Sequence, residues 1–214
     1  MAERILSHAE NAADGAVHVA GIAASVVAVS FLLAVYTPQG TTGMSLALAI
    51  YGITVILLFC VSAANNLITH EGWQPLLQRF DHAAIYLKIA GTYTPLVIMM
   101  GSMFANAVLA LIWAGAAAGA GARLAFGDRF ARQSVWLYLL LGWAGTAVIW
   151  IMVETLPPGA VILVLAGGLL YTIGVVFHVR QNLKFQRAIW HCFVLAASSC
   201  HFIAVAWASL GSLA

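Results

Sequence analysis

Seven apolar stretches divide this chain, each close to the ~20 residues a helix needs to cross a ~30 Å hydrocarbon core. They fall at about 17–36, 44–65, 82–100, 103–122, 135–153, 159–177 and 189–210. The connections are short, such as Thr-Pro-Gln-Gly-Thr-Thr-Gly at 37–43 and Thr-Leu-Pro-Pro-Gly at 155–159. Lipid offers backbone polar groups no partner, so the pattern predicts seven helices packed as a bundle. No stretch remains for an extramembrane domain. Residues 1–214 are expected to form a single seven-helix transmembrane domain, with 1–16 as a cytoplasmic N-terminal segment.

Composition agrees with an all-α integral membrane protein. Only 7% of the 214 residues are charged and 63% are hydrophobic, where soluble domains carry about 25% charged residues. The opening Met-Ala-Glu-Arg-Ile-Leu-Ser-His lacks the basic-then-apolar order of a cleaved signal, so the first stretch is expected to be retained. A net charge of +2 gives no reason to expect nucleic acid. Cys60, Cys192 and Cys200 lie in apolar runs and read as small buried hydrophobes rather than a disulfide framework or a metal site.

The basic residues set an orientation. Arg4 precedes the first stretch, Arg79 lies in the second connection, Arg123, Arg129 and Arg132 in the fourth, and Arg180, Lys184 and Arg187 in the sixth. The odd-numbered connections and the C-terminal tail have none, and only Lys88 falls inside a span. The positive-inside rule then places the N-terminus in the cytoplasm and the C-terminus outside, with the cytoplasmic (inner) membrane as the expected location. Small residues at 114–121 and 166–168 allow close helix approach, by internal packing or in a homo-oligomer.

With that topology the polar residues meet at one end. The end of the second stretch (Ser62, Asn65, Asn66), the start of the third (Asp81, His82) and the start of the seventh (Arg187, His191) share the N-terminal side. Glu10, Asp14 and His18 are spaced by four and form one stripe if helical. Ionisable groups within a membrane chain mark a candidate site by default. Imidazole with carboxylate is a usual zinc ligand mixture. The same residues also suit a network that caps helix ends and holds the bundle together.

Phe80-Asp81-His82-Ala83-Ala84-Ile85-Tyr86-Leu87-Lys88-Ile89-Ala90-Gly91-Thr92-Tyr93-Thr94-Pro95 closely resembles the third-helix signature of the haemolysin III family, the prokaryotic branch of the progestin and adipoQ receptors. Ala188-Ile189-Trp190-His191-Cys192-Phe193-Val194-Leu195, followed by His201-Phe202, resembles its seventh-helix signature. Glu10-x-x-x-Asp14-x-x-x-His18 resembles its first motif, with Asp where the family usually has Asn. The resemblance implies a zinc ion near the cytoplasmic surface. Its ligands would be a His closing a Ser-x-x-x-His motif on the second helix and two from a His-x-x-x-His motif on the seventh. An Asp opening the third helix would order the water.

Carried across, Asp81 and His191 match, while Ser62-x-x-x-Asn66 and Arg187-x-x-x-His191 depart. An Asn carbonyl is a poor zinc ligand and Arg cannot lose its proton. Lys88 replaces an apolar residue of the signature, on the same helical face as Asp81. One reading has Asn66, Arg187 and Lys88, with Glu10 and Asp14, forming a charge-substituted site in which Arg187 forks onto Asp81 in place of zinc. Another points Arg187 into the sixth connection. A displaced metal site drawn from His18, His70, His82 and His191 is a third. Catalytic roles would fall to Asp81 and Ser62 only in an active centre.

The expectation for function is a non-catalytic, haemolysin-III-like membrane subunit without a bound cofactor, binding membrane lipids or another membrane protein or serving in membrane homeostasis. The alternatives are a zinc-dependent intramembrane hydrolase of lipid amides, resembling the ceramidases, and a pore-forming haemolysin.

Overall fold

The computed structural model describes residues 7–68, 70–180 and 182–213, without side-chain description at 128 and 130–132. Seven helices are long and apolar enough to cross a membrane: His8–Tyr36, Thr42–Leu67, Gln74–Met100, Met103–Phe126, Gln133–Thr155, Pro158–Val179 and Gln186–Gly211, hereafter the first to seventh. Among the described residues there is no strand. The protein is a seven-helix integral membrane bundle.

The first helix starts at His8, well before the apolar run at 17, because a capping box begins it. Ser7 Oγ accepts from Glu10 N, and the Glu10 carboxylate accepts from Ser7 N, satisfying two otherwise orphaned groups. Residues expected in a cytoplasmic segment therefore extend the helix. Its buried stripe runs Glu10, Asp14, His18, Gly21, Ser25, Val29, Leu32, Tyr36. The neighbouring faces are apolar and outward: His18 is 2% exposed and Val19 65%. That inside-out distribution suits a lipid surround.

Thr41 and Ser102 cap the second and fourth helices through Met44 N and Ala105 N, and Gly101 ends the third with a left-handed φ of 59° that glycine adopts without strain. The first helix packs on the second and seventh, the third on the second and fourth, and the sixth on the seventh. Close approach is built on glycine. A Cβ on Gly91 would stand 2.1 Å from Thr54 Oγ1, and one on Gly119 would stand 2.4 Å from the Tyr86 ring. The small-residue run of the fourth helix thus serves internal packing at Gly119.

The fifth helix is broken by a 3-10 turn over Ala144–Val148. Tyr93 repairs the break, because its hydroxyl donates to Gly142 O and accepts from Gly145 N at 3.0 Å. Irregular backbone at membrane depth needs such a protein partner. The fifth and sixth helices touch only lightly, and a cavity of ≈ 150 Å³ lies inside the bundle with walls from both. The cysteines correct an expectation: Cys60 and Cys192 are exposed and Cys200 half-exposed. On apolar helices a thiol is as compatible with lipid as with a core, and sequence does not separate the two.

Candidate functional site

Three helices bring Asp14, His18, Ser62 and His191 together at the end of the bundle that carries the N-terminus. Asp14 and His18 lie on consecutive turns of the buried stripe of the first helix. Ser62 sits near the end of the second, and His191 near the start of the seventh. All four are buried: Asp14 is 3% exposed, His18 2%, Ser62 6% and His191 8%. One ligand atom from each of Asp14, His18 and His191 lies within 4.8 Å of the others.

The hydrogen bonds set the tautomers. His18 Nδ1 lies 2.8 Å from the backbone carbonyl of Asp14, which can only accept, so Nδ1 donates and Nε2 of the neutral ring is a lone pair. His191 Nδ1 lies 2.6 Å from Asp14 Oδ1, and an ionised carboxylate likewise only accepts. Both Nε2 atoms then face one hydroxyl, Ser62 Oγ, at 3.3 and 3.4 Å. Ser62 has one hydrogen, sought by these two lone pairs and by the Asp81 side chain that it also bonds. Donation of the second ring N–H to a carboxylate or backbone carbonyl is also the arrangement that orients metal-ligating histidines.

Asp81 borders this group. Its Oδ2 accepts from Asn65 Nδ2 at 3.0 Å, Ser62 bonds its side chain, and His191 and Asp14 act on it through their charges. Gln74 Nε2 in turn donates to Asn65 O at 3.2 Å. Arg187, one turn before His191, is half-buried. Asn66 Nδ2 donates back to Ser62 O at 2.8 Å.

Glu10 does a separate job. Its Oε1 accepts from Phe185 N at 2.9 Å. Phe185 is the only described non-glycine residue with positive φ, 59°, and it is the N-cap of the seventh helix. A bulky residue in that region is strained, and Glu10 ties the strained corner to the first helix.

The remaining sequence candidates lie elsewhere. His70 is exposed and accepts from Gly72 N at 3.2 Å. His82 accepts from Arg123 Nε at 3.1 Å, and Tyr138 donates to its carbonyl at 3.1 Å. Lys88 points to neither Asp81 nor Asp14: its Nζ is 3.4 Å from His201 Nδ1 and 4.3 Å from the centre of the Tyr171 ring. Seven residues of helix separate Lys88 from Asp81 by roughly 10 Å at 1.5 Å per residue. The sequence reading grouped Asp14 with the charge-substituted residues and not with the histidines as a ligand. The stripe of four-residue spacing was the signal that could have joined them.

A family model described as haemolysin-III related matches residues 7–202. Hemolysin-3 of Bacillus cereus is 36% identical over 197 residues, covering 92% of this chain and 90% of that protein. The Hemolysin-3 homolog of Bacillus subtilis (strain 168) is 31% identical over 198 residues, 92% of each chain. A fainter likeness, 27% over 164 residues, links 73% of the chain to 67% of the human monocyte to macrophage differentiation factor. The seven-helix bundle with its buried Asp14, His18 and His191 therefore belongs to the haemolysin-III-related family.

Proposed function

We propose that this chain binds a membrane lipid inside its bundle and that it does not use the family's zinc chemistry. The observation that carries this is the continuity between the polar cluster and the cavity. His18, Ser62, Asp81 and His191 form part of its wall, and the rest is mainly apolar, with Leu96, Ile149 and Met152 far from the polar end. Such a lining, polar at one end and apolar beyond it, suits an amphiphile, with its polar group at or near the cluster and its chain among the apolar walls. The slight contact between the fifth and sixth helices supplies a sideways entry from the bilayer. The Lys and Arg distribution supports a cytoplasmic N-terminus in the cytoplasmic membrane.

The family's zinc ligand set is not met. Asn66 turns its amide to Ser62 O, and Arg187 offers a cation where the family has an imidazole. Native mass spectrometry of protein extracted in a mild detergent should find about one lipid per chain. The signal should fall in Gly142→Phe, which places a ring at a cavity-lining position where a Cβ meets nothing within 4 Å. Lipid-free protein that takes up no added lipid would overturn the reading.

A displaced metal centre is the second reading, favoured by the 4.8 Å grouping of Asp14, His18 and His191. Zinc held there would polarise a lipid amide carbonyl and activate water. Asp14 would orient His191, Ser62 would sit between the two rings, and Asp81 would hold a water. Elemental analysis separates the readings. Under the first, wild type carries no stoichiometric metal, and Asn66→His with Arg187→His gains about one zinc. About one zinc in wild type, lost in His18→Ala, would replace the first reading with the second.

A further inference from the structure

Asp14, His191 and Ser62 stand in the order that activates a serine. The Asp14 carboxylate accepts from His191 Nδ1 at 2.6 Å, and Nε2 across the same ring lies 3.4 Å from Ser62 Oγ. A carboxylate that fixes the tautomer of an imidazole, and an imidazole that meets a hydroxyl, are the parts of a nucleophilic triad. Such a triad is recognised by geometry and not by order in the chain. Here its members come from the first, seventh and second helices. Ser62 and His191 line the cavity, whereas Asp14 is not part of its wall and backs the ring it orients. Asp14 also stands where the first motif usually has Asn, and an amide there would leave His191 without a charged partner.

Two other groups reach the hydroxyl. His18 Nε2 lies 3.3 Å from Ser62 Oγ, with its own Nδ1 bonded to the Asp14 backbone carbonyl at 2.8 Å. Asp14 Oδ1 is 3.8 Å from that nitrogen but 2.6 Å from Nδ1 of His191, so a proton gained by an imidazole is better stabilised on His191. That ring is the base. His18 and Asp81 compete for the Ser62 hydrogen at rest and hold Oγ between the two rings.

Resting on the zinc-free part of the reading above and not on its lipid, we propose that Ser62 is a nucleophile through which this chain hydrolyses activated carboxylic esters. Oγ bonds to the carbonyl carbon as its proton passes to His191 Nε2, and the imidazolium pairs with Asp14. The bond to the leaving group then breaks, and His191 returns the proton to the departing alkoxide, which leaves as an alcohol. Water attacks the acyl-serine with the same base, which releases a carboxylic acid and restores Ser62. One ester and one water become one acid and one alcohol, with no change of oxidation state.

The backbone sets the substrate class. Ser62 lies within the helix Thr42–Leu67, so the N–H of Ala63 belongs to the helix ladder. A serine on a strand-to-helix turn instead gains an oxyanion donor from the residue after it, and one such donor is worth about 10²–10³ in rate. An amide needs that help, whereas an ester with a good leaving group reacts without it. Val17, Leu58 and Phe59, each within a turn of the cluster on the cavity wall, suit an apolar acyl group.

The test treats full-length protein in mild detergent with a fluorophosphonate, which phosphonylates activated serines, and separately with p-nitrophenyl butyrate. Wild type should take about one adduct per chain, mapped to Ser62 by peptide mass spectrometry, and should hydrolyse the ester. Both rates should be the same with and without a zinc chelator, and Ser62→Ala should lose both activities. Asp14→Asn should slow labelling at least about tenfold, as loss of the orienting carboxylate does in a triad. A purely structural role would leave that rate unchanged in a variant whose melting point drops by only about 2–4 °C. Labelling of wild type needs no variant, so poor folding of a mutant leaves the question answerable. Folded wild type that takes no adduct at Ser62, or Asp14→Asn labelled at the wild-type rate, overturns the triad and leaves the lipid reading standing. Labelling or hydrolysis that stops with chelator and returns with zinc overturns the triad and the zinc-free reading together.

Discussion

The bond between Asp14 Oδ1 and His191 Nδ1 should dominate the stability of the polar end. At 2.6 Å between groups only 3% and 8% exposed, it falls among charge-assisted hydrogen bonds, each worth about 1.5–3 kcal/mol net. Asp14→Asn keeps an acceptor and removes the charge, so the loss should be about 1 kcal/mol, the gap between charged and neutral bonds. Asp14→Ala removes the acceptor as well and leaves a buried N–H unmet, for a total of about 3 kcal/mol. For a chain of this length each kcal/mol moves Tm by about 2–4 °C. The expected drops are therefore about 2–4 °C for Asn and about 6–12 °C for Ala, read as tryptophan-fluorescence melts in detergent at a fixed scan rate. His191→Ala completes a double-mutant cycle, and a coupling of about 1.5–3 kcal/mol is expected for residues in direct contact. Additive single effects, or an Ala variant within 2 °C of wild type, would refute the claim that this contact holds the cluster together.

Two further outcomes follow from the packing. Tyr93→Phe strips the buried Gly145 N–H of its acceptor at the break in the fifth helix, so it should cost about 1–3 kcal/mol. A melting curve unchanged within 2 °C would show that the break is satisfied some other way. Gly119→Leu drives a side chain into the Tyr86 ring, where even a Cβ would stand at 2.4 Å, and should part the third and fourth helices. Size-exclusion profiles of the solubilised protein should show loss of the monodisperse peak; a normal profile would mean that the two helices can separate without harm.

What could be read from the chain and what could not divides along physical lines. The hydrocarbon core accepts only long apolar helices, so the seven spans were legible within a turn at most ends. Start signals less obvious than apolarity were overlooked. Ser7 and Glu10 box the first helix, which begins inside the expected cytoplasmic segment of residues 1–16. Which faces of those helices are lipid-exposed depends on neighbours, and the cysteines at 60 and 192 show it, since they are exposed. Four-residue spacing placed Glu10, Asp14 and His18 on one stripe, yet nothing local told their tasks apart. Glu10 proved to hold Phe185 at a strained corner, and Asp14 to bridge two imidazoles.

The sequence by itself determined the class of solvent, the number of spans, the family and the end of the bundle at which polar residues gather. These follow from composition and from periodicity along one chain, which need no partner to be expressed. Only the tertiary structure decided who meets whom. His18 and His191 are 173 positions apart in the chain and share one serine hydroxyl. Lys88, drawn on paper to the same face as Asp81, turns instead to His201 and Tyr171. Side-chain reach is a few ångströms, while two helical turns are roughly 10 Å, so a shared face does not make a shared site.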